Sequence, residues 1–320
     1  MKVYFYHPIF AELSEEELLG LNNSQRAFTT GPHVWIVQTY VKLKLAGYSV
    51  EGTSIAPKSG ILLIHSHHFF EFWNSAKTTS NIIVVSVRAD RKPNPYADFE
   101  ILQNLQNVDS HKRFFIPHWP QPGLIMRNTN RGTEIKTLAF KGFLNNLNDM
   151  FNEASWQDFA REYSLEWIVD AEPWKSTDAN YKKLNWGNYE NIDIIIAIRQ
   201  DLNNQYENKP ASKLTNSWAA GVPCLLGPEI AYRQLRKSNL DYIEVDSLDS
   251  VKRSILKLIS DPNLYEAMIS NGKQRVIQFS EDAITEAWGN LIFNVISKKV
   301  NKPHRRLVYF LPLTKRKYFN

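Results

Sequence analysis

One cysteine in 320 residues, Cys224, rules out an intramolecular disulfide and a thiolate metal cluster, and fits a reducing compartment. It stands inside the apolar run "VPCLL", where a thiol reads as buried and structural rather than nucleophilic. No run approaches the ~20 apolar residues that a bilayer span needs. The opening "MKVYFYHPIF" has one lysine and neither the apolar core nor the cleavage site of a secretory signal. The expected location is therefore the cytoplasm. No G-x-G-x-x-G occurs, which argues against a nicotinamide dehydrogenase, and no G-x-x-x-x-G-K-[ST] occurs, which excludes a P-loop nucleotidase. The G-x-S-x-G elbow of a typical α/β-hydrolase is missing too.

What is present is an ordinary globular composition, 43% hydrophobic and 22% charged, in a chain long enough for two domains. Nine Trp, fourteen Tyr and seventeen Phe are a generous aromatic content, suited to clefts that stack on flat ligands. The formal net charge of +5 is unevenly spread. Eight basic residues and no acid lie between Lys298 and Asn320; without them 30 basic residues face 33 acidic ones. That tail also holds "LVYFLPL", so it reads either as a segment lying on an anionic membrane face or as a terminal element packing back on the body. No nucleic-acid reader motif accompanies the charge, and no nucleic-acid partner is expected.

Alternation of short β-rich runs with helix-length segments predicts parallel, doubly wound sheets. In the first half "KVYFYH", "YSVEGT", "GILLIHS", "NIIVVSVRAD" and "RFFIPH" read as strands, and "VWIVQTYVKLKLAG" as a helix ending at Gly47. The Pro- and Gly-bearing "HWPQPGLIMR" reads as a crossover. The theme then repeats, with "KTLAFKG", "LEWIVD", "IDIIIAIR" and "VPCLLG" as strands and two helices joined at "DPN". A last helix, "EDAITEAWGNLIFNVISKK", precedes the tail. The expected boundaries are 1–122, 123–297 and a tail at 298–320.

The most informative stretch is "ENKPASKLTNSWAAGVPCLLGPEIAYR". Lys209 and Lys213 sit four apart around Pro210 at the start of a helix-like run that stops at Gly221. A helix N-terminus offers free N–H groups and a positive dipole end to phosphate. Pro210 suits the first turn, Ser212 is placed to cap or to bind an anion, and the two ammonium groups add charge. A diphosphate answers that arrangement; two solvated lysines on a surface helix are the plain alternative.

This stretch resembles the nucleotide-sugar-binding region of GT-B glycosyltransferases, close to the family-4-like group. "SLDSVKRSILKLISDPNLYEAMISNGKQR", "WGNYENIDIIIAIR", "IPHWPQPGLIMR" and "TGPHVWIVQTYVKLKLAGYSVE" are similar to further parts of those proteins. The resemblance implies two doubly wound Rossmann-like domains facing across a central cleft, with the donor in the C-terminal domain and the acceptor in the N-terminal one. It implies that Lys209, Ser212 and Lys213 hold the donor diphosphate and that Gly142 forms the glycine turn where backbone approaches the donor. Arg199, at the carboxyl end of its strand, is placed for a phosphate or sugar contact. Glu229 and Tyr232 are expected on a loop reaching the same cleft.

One departure matters. Many retaining members carry two glutamates eight positions apart, and here those places hold Asn208 and Asn216, with Glu207 one residue early. An amide still bonds to ribose, but the negative charge is gone, which leaves retaining and inverting chemistry both open. On the acceptor side, His65, His67 and His68 follow the strand "ILLIH". His67 is the candidate base, since neutral imidazole takes a proton from an attacking hydroxyl. The alternative is a loop histidine bonded to backbone. Adjacent histidines project apart and make a poor metal site. His33 heads the first helix, and Asp90 is a second candidate base or hydroxyl ligand, unless it serves a salt bridge with Arg88 or Arg91. The nearest approach to the Asp-x-Asp of metal-dependent GT-A transferases is Asp170-Ala-Glu172, a poor match.

The expected function is transfer of a sugar from a nucleotide-diphosphate donor to a hydroxyl acceptor, glycan, lipid-linked or small, with no metal and no other cofactor. The tail is expected to touch the inner membrane face. A nucleotide-sugar epimerase of the same fold and a non-catalytic carbohydrate-binding relative are the two competing readings.

Overall fold

The computed structural model describes residues 1–23, 28, 30–76, 81–109, 111–172, 186–300 and 312–316. Most of the basic tail, including the aromatic part of "LVYFLPL", lies outside the described residues. The chain forms two compact units, Met1–Pro122 with Asn208–Pro210 and Ser280–Asn320, and Gly123–Glu207 with Ala211–Phe279.

The first unit is built on a sheet of β1 (Val3–Tyr6), β2 (Glu51–Thr53), β3 (Gly60–His65), β4 (Ile82–Val87), β5 (Phe99–Leu102) and β6 (Arg113–Phe115). Their order is β2-β1-β3-β4-β5-β6 and every pair is parallel. Every residue of β3 and β4 is buried, as strands covered on both faces require. Among its helices are α1 (Glu15–Gly20), α2 (Gln38–Leu45) and α3 (Phe69–Ala76). A reciprocal Ser14–Glu17 capping box starts α1. A π-helical turn, His33–Val37, leads into α2.

The second sheet holds β7 (Thr137–Phe143), β8 (Glu166–Glu172), β9 (Ile194–Ala197), β10 (Cys224–Leu226) and β11 (Ile243–Glu244), in the order β11-β10-β9-β7-β8, again all parallel. Around it run α4 (Ala154–Glu162), α5 (Ser212–Ala220), α6 (Ile230–Leu235), α7 (Leu248–Ser260) and α8 (Pro262–Arg275). Helix α5 ends on Gly221 in the left-handed region, φ +70°. Asp261 links α7 to α8 and caps the latter through its side chain. Asp193 anchors the base of this sheet, fully buried, with Arg127 and Arg131 on its carboxylate and the amides of Lys136 and Thr137 donating to it.

The second unit ends at Phe279, short of the expected 297. Helix α9 (Glu281–Gly289), a π-helical stretch Asn290–Ile296 and α10 (Ser297–Val300) follow. Trp288, Leu291, Ile292 and Ile296 from them are buried in one cluster with Val3, Trp35 and Val41 of the first unit. The amphipathic pattern gives the helix; which core its apolar stripe fills depends on tertiary packing.

Both sheets reverse their strand order at one point, between β1 and β3 in the first and between β7 and β9 in the second. Ligands of open α/β sheets bind outside the carboxyl ends of the strands at such switch points. Gly142, Arg199 and the start of α5 lie at the second of these places, and His65 and His67 follow β3 at the first.

Candidate functional site

In the second unit, Gly142 lies near the carboxyl end of β7, inside the strand rather than in a turn after it, with φ +150°. A methyl group built there would stand 3.3 Å from Lys213 Nζ and 3.4 Å from the Phe140 ring. The missing side chain thus admits the ammonium, which also lies 5.5 Å from the Phe140 ring centroid. Lys213 is the second residue of α5. The N-cap is Ala211, whose side chain accepts nothing, so the helix begins without a side-chain cap. Ser212 is therefore the first helical residue, not the cap expected of it, and Pro210 precedes the cap. Asn216 sits one turn further along α5, half-buried.

Arg199 follows β9 on the other side of the switch point. Its Nε donates to Glu229 Oε2 at 2.9 Å, its Nη1 donates to Asn146, and its guanidinium lies 4.9 Å from the Tyr206 ring centroid. Burial pulls the Arg199 pKa down, but the Glu229 carboxylate outweighs it and the net direction is upward. Asn148 holds the Arg199 carbonyl through its Nδ2 at 2.8 Å. Glu229 is the N-cap residue of α6 and Tyr232 lies within that helix, 1% exposed in the core. The loop expected to carry both toward a ligand is instead this helix start, and Tyr232 packs inward.

The first unit holds the other group. His7 follows β1 and His65 closes β3, and pairing of Tyr6 with Ile64 puts the two residues at the carboxyl ends of neighbouring strands. The ring centroids of His7 lie 5.0 Å from those of His33 and 4.9 Å from those of His68; His67 and His68 are 5.0 Å apart. Burial, helped by the neighbouring imidazoles, lowers the pKa of both His7 and His65 to about 3. Burial lowers His33 and His68 as well. His67, at the rim, has Arg91 Nη2 3.4 Å from its Nδ1. Among the described residues, no group of three His, Cys, Asp or Glu has the geometry to hold a metal ion.

Asp90 pairs with Lys209, Nζ to Oδ2 2.9 Å, and stands 4.0 Å from Arg91, one of the two arginines named as its alternative salt-bridge partners. Arg88 instead donates from Nη2 to the side chain of Asn208 at 2.8 Å, while Gln103 and Asn104 bind the carbonyls of Asn208 and Lys209. Lys209 therefore belongs to the first unit and Lys213 to the second, although the sequence sets them four residues apart. Burial pushes the Asp90 carboxyl up, yet Lys209 and Arg91 together hold it below its ordinary range.

Sequence reasoning missed His7, Asn146 and the bond of Arg88 to Asn208. For His7 a signal existed: two strands of the first half, "FYH" and "LIH", both end in histidine. For the other two the partners come from distant segments, and no local pattern announces them.

No family model and no curated protein matches this sequence. Solved structures do match by fold. Sucrose-phosphate synthase from Thermosynechococcus elongatus superposes with a TM-score of 0.58 at 10% identity, covering 93% of this chain and 100% of that one. Anabaena HepE in complex with UDP and glucose gives 0.52 at 9%, covering 92% and 100%. TarM from S. aureus, in a complex with UDP and alpha-GlcNAc-glycerol among its ligands, gives 0.54 at 13% over 80% of this chain. This chain spans 58% of TarM's length and the whole length of the other two. By fold, the chain is GT-B, with two Rossmann-like domains.

Proposed function

We propose that this chain is a glycosyltransferase that moves a sugar from a nucleotide-diphosphate donor to a hydroxyl acceptor. One observation carries the reading: the Lys213 ammonium, admitted by Gly142, stands at the start of a helix without a side-chain cap, at the switch point of the second sheet. Backbone N–H groups and a fixed positive charge suit the diphosphate leaving group, whose growing negative charge they stabilise as the glycosidic bond breaks. On this reading Ser212 and Asn216 add polar contacts to the nucleotide, and no metal is needed. The Glu229–Arg199 pair positions the end of β9, with Tyr232 packed beneath it. The fold likeness to Anabaena HepE, solved with UDP and glucose, supports a uridine diphosphate sugar as the donor to try first.

On the acceptor side His67 takes the proton of the attacking hydroxyl, with Arg91 beside its ring. His33 lines the same group of imidazoles. Asp90, ionised against Lys209, binds rather than deprotonates. The acceptor is a glycan or a lipid-linked sugar of polysaccharide synthesis, and the basic segment from Lys298 onward holds the enzyme on the cytoplasmic membrane face. Among the described residues no helix is long and apolar enough to cross a membrane.

Thermal-shift titration with UDP, GDP, TDP, ADP and CMP, run beside Lys213→Ala, tests the donor site. One nucleoside diphosphate should raise the melting temperature of the native chain and leave that of the variant unmoved. Silence across the panel would overturn the reading. Deleting 299–320 should abolish binding to anionic liposomes; unchanged binding would remove the tail from the scheme.

A further inference from the structure

Helices α4 and α7 line one groove of about 340 Å³ that lies wholly within the second unit. Its floor is apolar. Phe159 is buried there with its ring 5.0 Å from that of Tyr163, and Leu256 adds an aliphatic side chain. Tyr163 is nevertheless 41% exposed, and Ile259, one turn beyond Leu256, is 39% exposed. The two walls differ in sign. Helix α4 brings Asp158 and Glu162; α7 brings Lys252 and Arg253, with Lys257 exposed a turn further on. Asp158 is held along its own helix by Arg161 at 3.0 Å, and the Lys252 ammonium rests 5.7 Å from the Phe159 ring centroid. Among the described residues no ion pair joins the two helices across the groove. Asp249, the acid on the α7 wall, stands in that helix's first turn, where the helix dipole offsets its charge.

A surface with an acidic half beside a basic half, and an apolar strip between them, is complementary to itself when turned by half a revolution. We propose that a second copy of this chain docks on this face, about a two-fold axis through the groove that lays α4 of each copy on α7 of the other. Asp158 and Glu162 of one copy then meet Lys252 and Arg253 of the other, twice over, while Tyr163 and Ile259 are withdrawn from water. A uniformly anionic partner, a lipid surface or a nucleic acid, would meet the two cations of α7 but also the carboxylates of α4, and a cationic partner would meet the reverse conflict. A partner carrying both signs satisfies both walls, and the chain itself is one. The helices have nine and thirteen residues, so they are ~14 and ~20 Å long. A face of two such helices covers roughly 400 Å² per copy, about half of what a standard interface buries on each side. The dimer is therefore expected to be weak, with a micromolar Kd, and sensitive to salt. None of this depends on the transferase reading.

Sedimentation equilibrium of the full chain from about 1 to 300 µM tests the proposal. The native chain should pass from monomer to dimer across that range, and raised ionic strength should shift it back toward monomer. Lys252→Glu with Arg253→Glu makes both walls acidic; Asp158→Lys with Glu162→Lys makes both basic. Each variant alone should dimerise at least about tenfold more weakly than the native chain, because like charges now face each other. An equimolar mixture of the two should regain the native strength, since the acidic wall of one again faces the basic wall of the other. Mixing does not repair a misfolded chain, so that recovery separates lost pairing from lost folding. A native chain that stays monomeric throughout would overturn the proposal, as would a variant that dimerises like the native chain or a mixture that remains monomeric. Binding of a monomeric native chain to anionic vesicles, lost in Lys252→Glu with Arg253→Glu, would give the face to a lipid surface instead.

Discussion

Gly142 and Lys213 are fitted to each other: the ammonium of one occupies space that any side chain on the other would crowd to 3.3 Å. The φ of +150° at Gly142 independently excludes an L side chain without strain. Gly142→Ala should cost about 1–3 kcal/mol of stability through the backbone alone, read as a lower midpoint in urea. It should also weaken the nucleotide-induced shift, because Lys213 must give way by a few tenths of an ångström. A Gly142→Ala chain that still responds to a nucleoside diphosphate like the native one would separate the glycine from the donor site.

The two lysines that flank Pro210 should behave differently. Lys209 makes a partly exposed ion pair with Asp90, and such a pair contributes at most about 1 kcal/mol. Lys209→Ala is expected to leave the melting temperature almost unchanged. A large loss of stability would show that the segment 208–210 depends on this pair and not on Arg88, Gln103 and Asn104.

Acid should loosen the first unit before it reaches the carboxylates. His7 and His65 have folded pKa values of about 3 against about 6.5 when unfolded, so below pH 6.5 the unfolded chain binds protons that the folded chain refuses. Stability is fully present above pH 6.5 and falls with each unit below it, by up to about 1.4 kcal/mol per imidazole. The melting temperature should therefore decline between pH 6.5 and 4.5. His7→Asn should flatten that slope; an unchanged slope would place the proton uptake elsewhere.

Asp193 governs the second unit. Burial alone would raise its pKa, but Arg131, the amides of Lys136 and Thr137, and Arg127 outweigh it and hold it below the usual range. Its folded pKa is depressed, so its contribution is present above the unfolded value near 4 and lost as the pH falls through the lower folded one. Asp193→Asn leaves Arg127, only 5% exposed at its side chain, without its partner charge. The expected cost is about 3–5 kcal/mol, measured by urea denaturation at neutral pH. A change below about 1 kcal/mol would mean that Arg127 finds another partner.

Most of the sheet architecture could be read from the letters, because apolar runs bounded by Gly, Pro and Asn mark buried parallel strands. Strand β5 escaped for a physical reason. Its run "DFEIL" contains Asp98 and Glu100, both buried, which accept from the amides of Val84 and Asn94 at 2.8 and 2.7 Å. Charged letters that serve backbone amides look like a loop. Two-residue β11 is too short for any periodicity. In the candidate site, Gly142 and Lys213 were legible singly, but their approach joins two elements about 70 positions apart, which spacing does not reveal. That Lys209 belongs to the first unit and Lys213 to the second was hidden because sequence proximity says nothing about which core a segment docks on.

The return of the last helices to the first unit sets an order of events during synthesis. A ribosome that has delivered residues 1–122 has supplied the first sheet but not Trp288, Leu291, Ile292 or Ile296, which complete its core. The second unit's chain must be made in between, which at ordinary translation rates is a delay of roughly 10–40 s. Throughout that interval the face awaiting α9 is an open apolar surface. The second unit, whose core closes at Phe279, is in a position to fold first. Expression of 1–122 alone would thus yield a fragment prone to aggregate, and a nascent chain stalled near residue 280 would carry a finished second unit beside an unfinished first one.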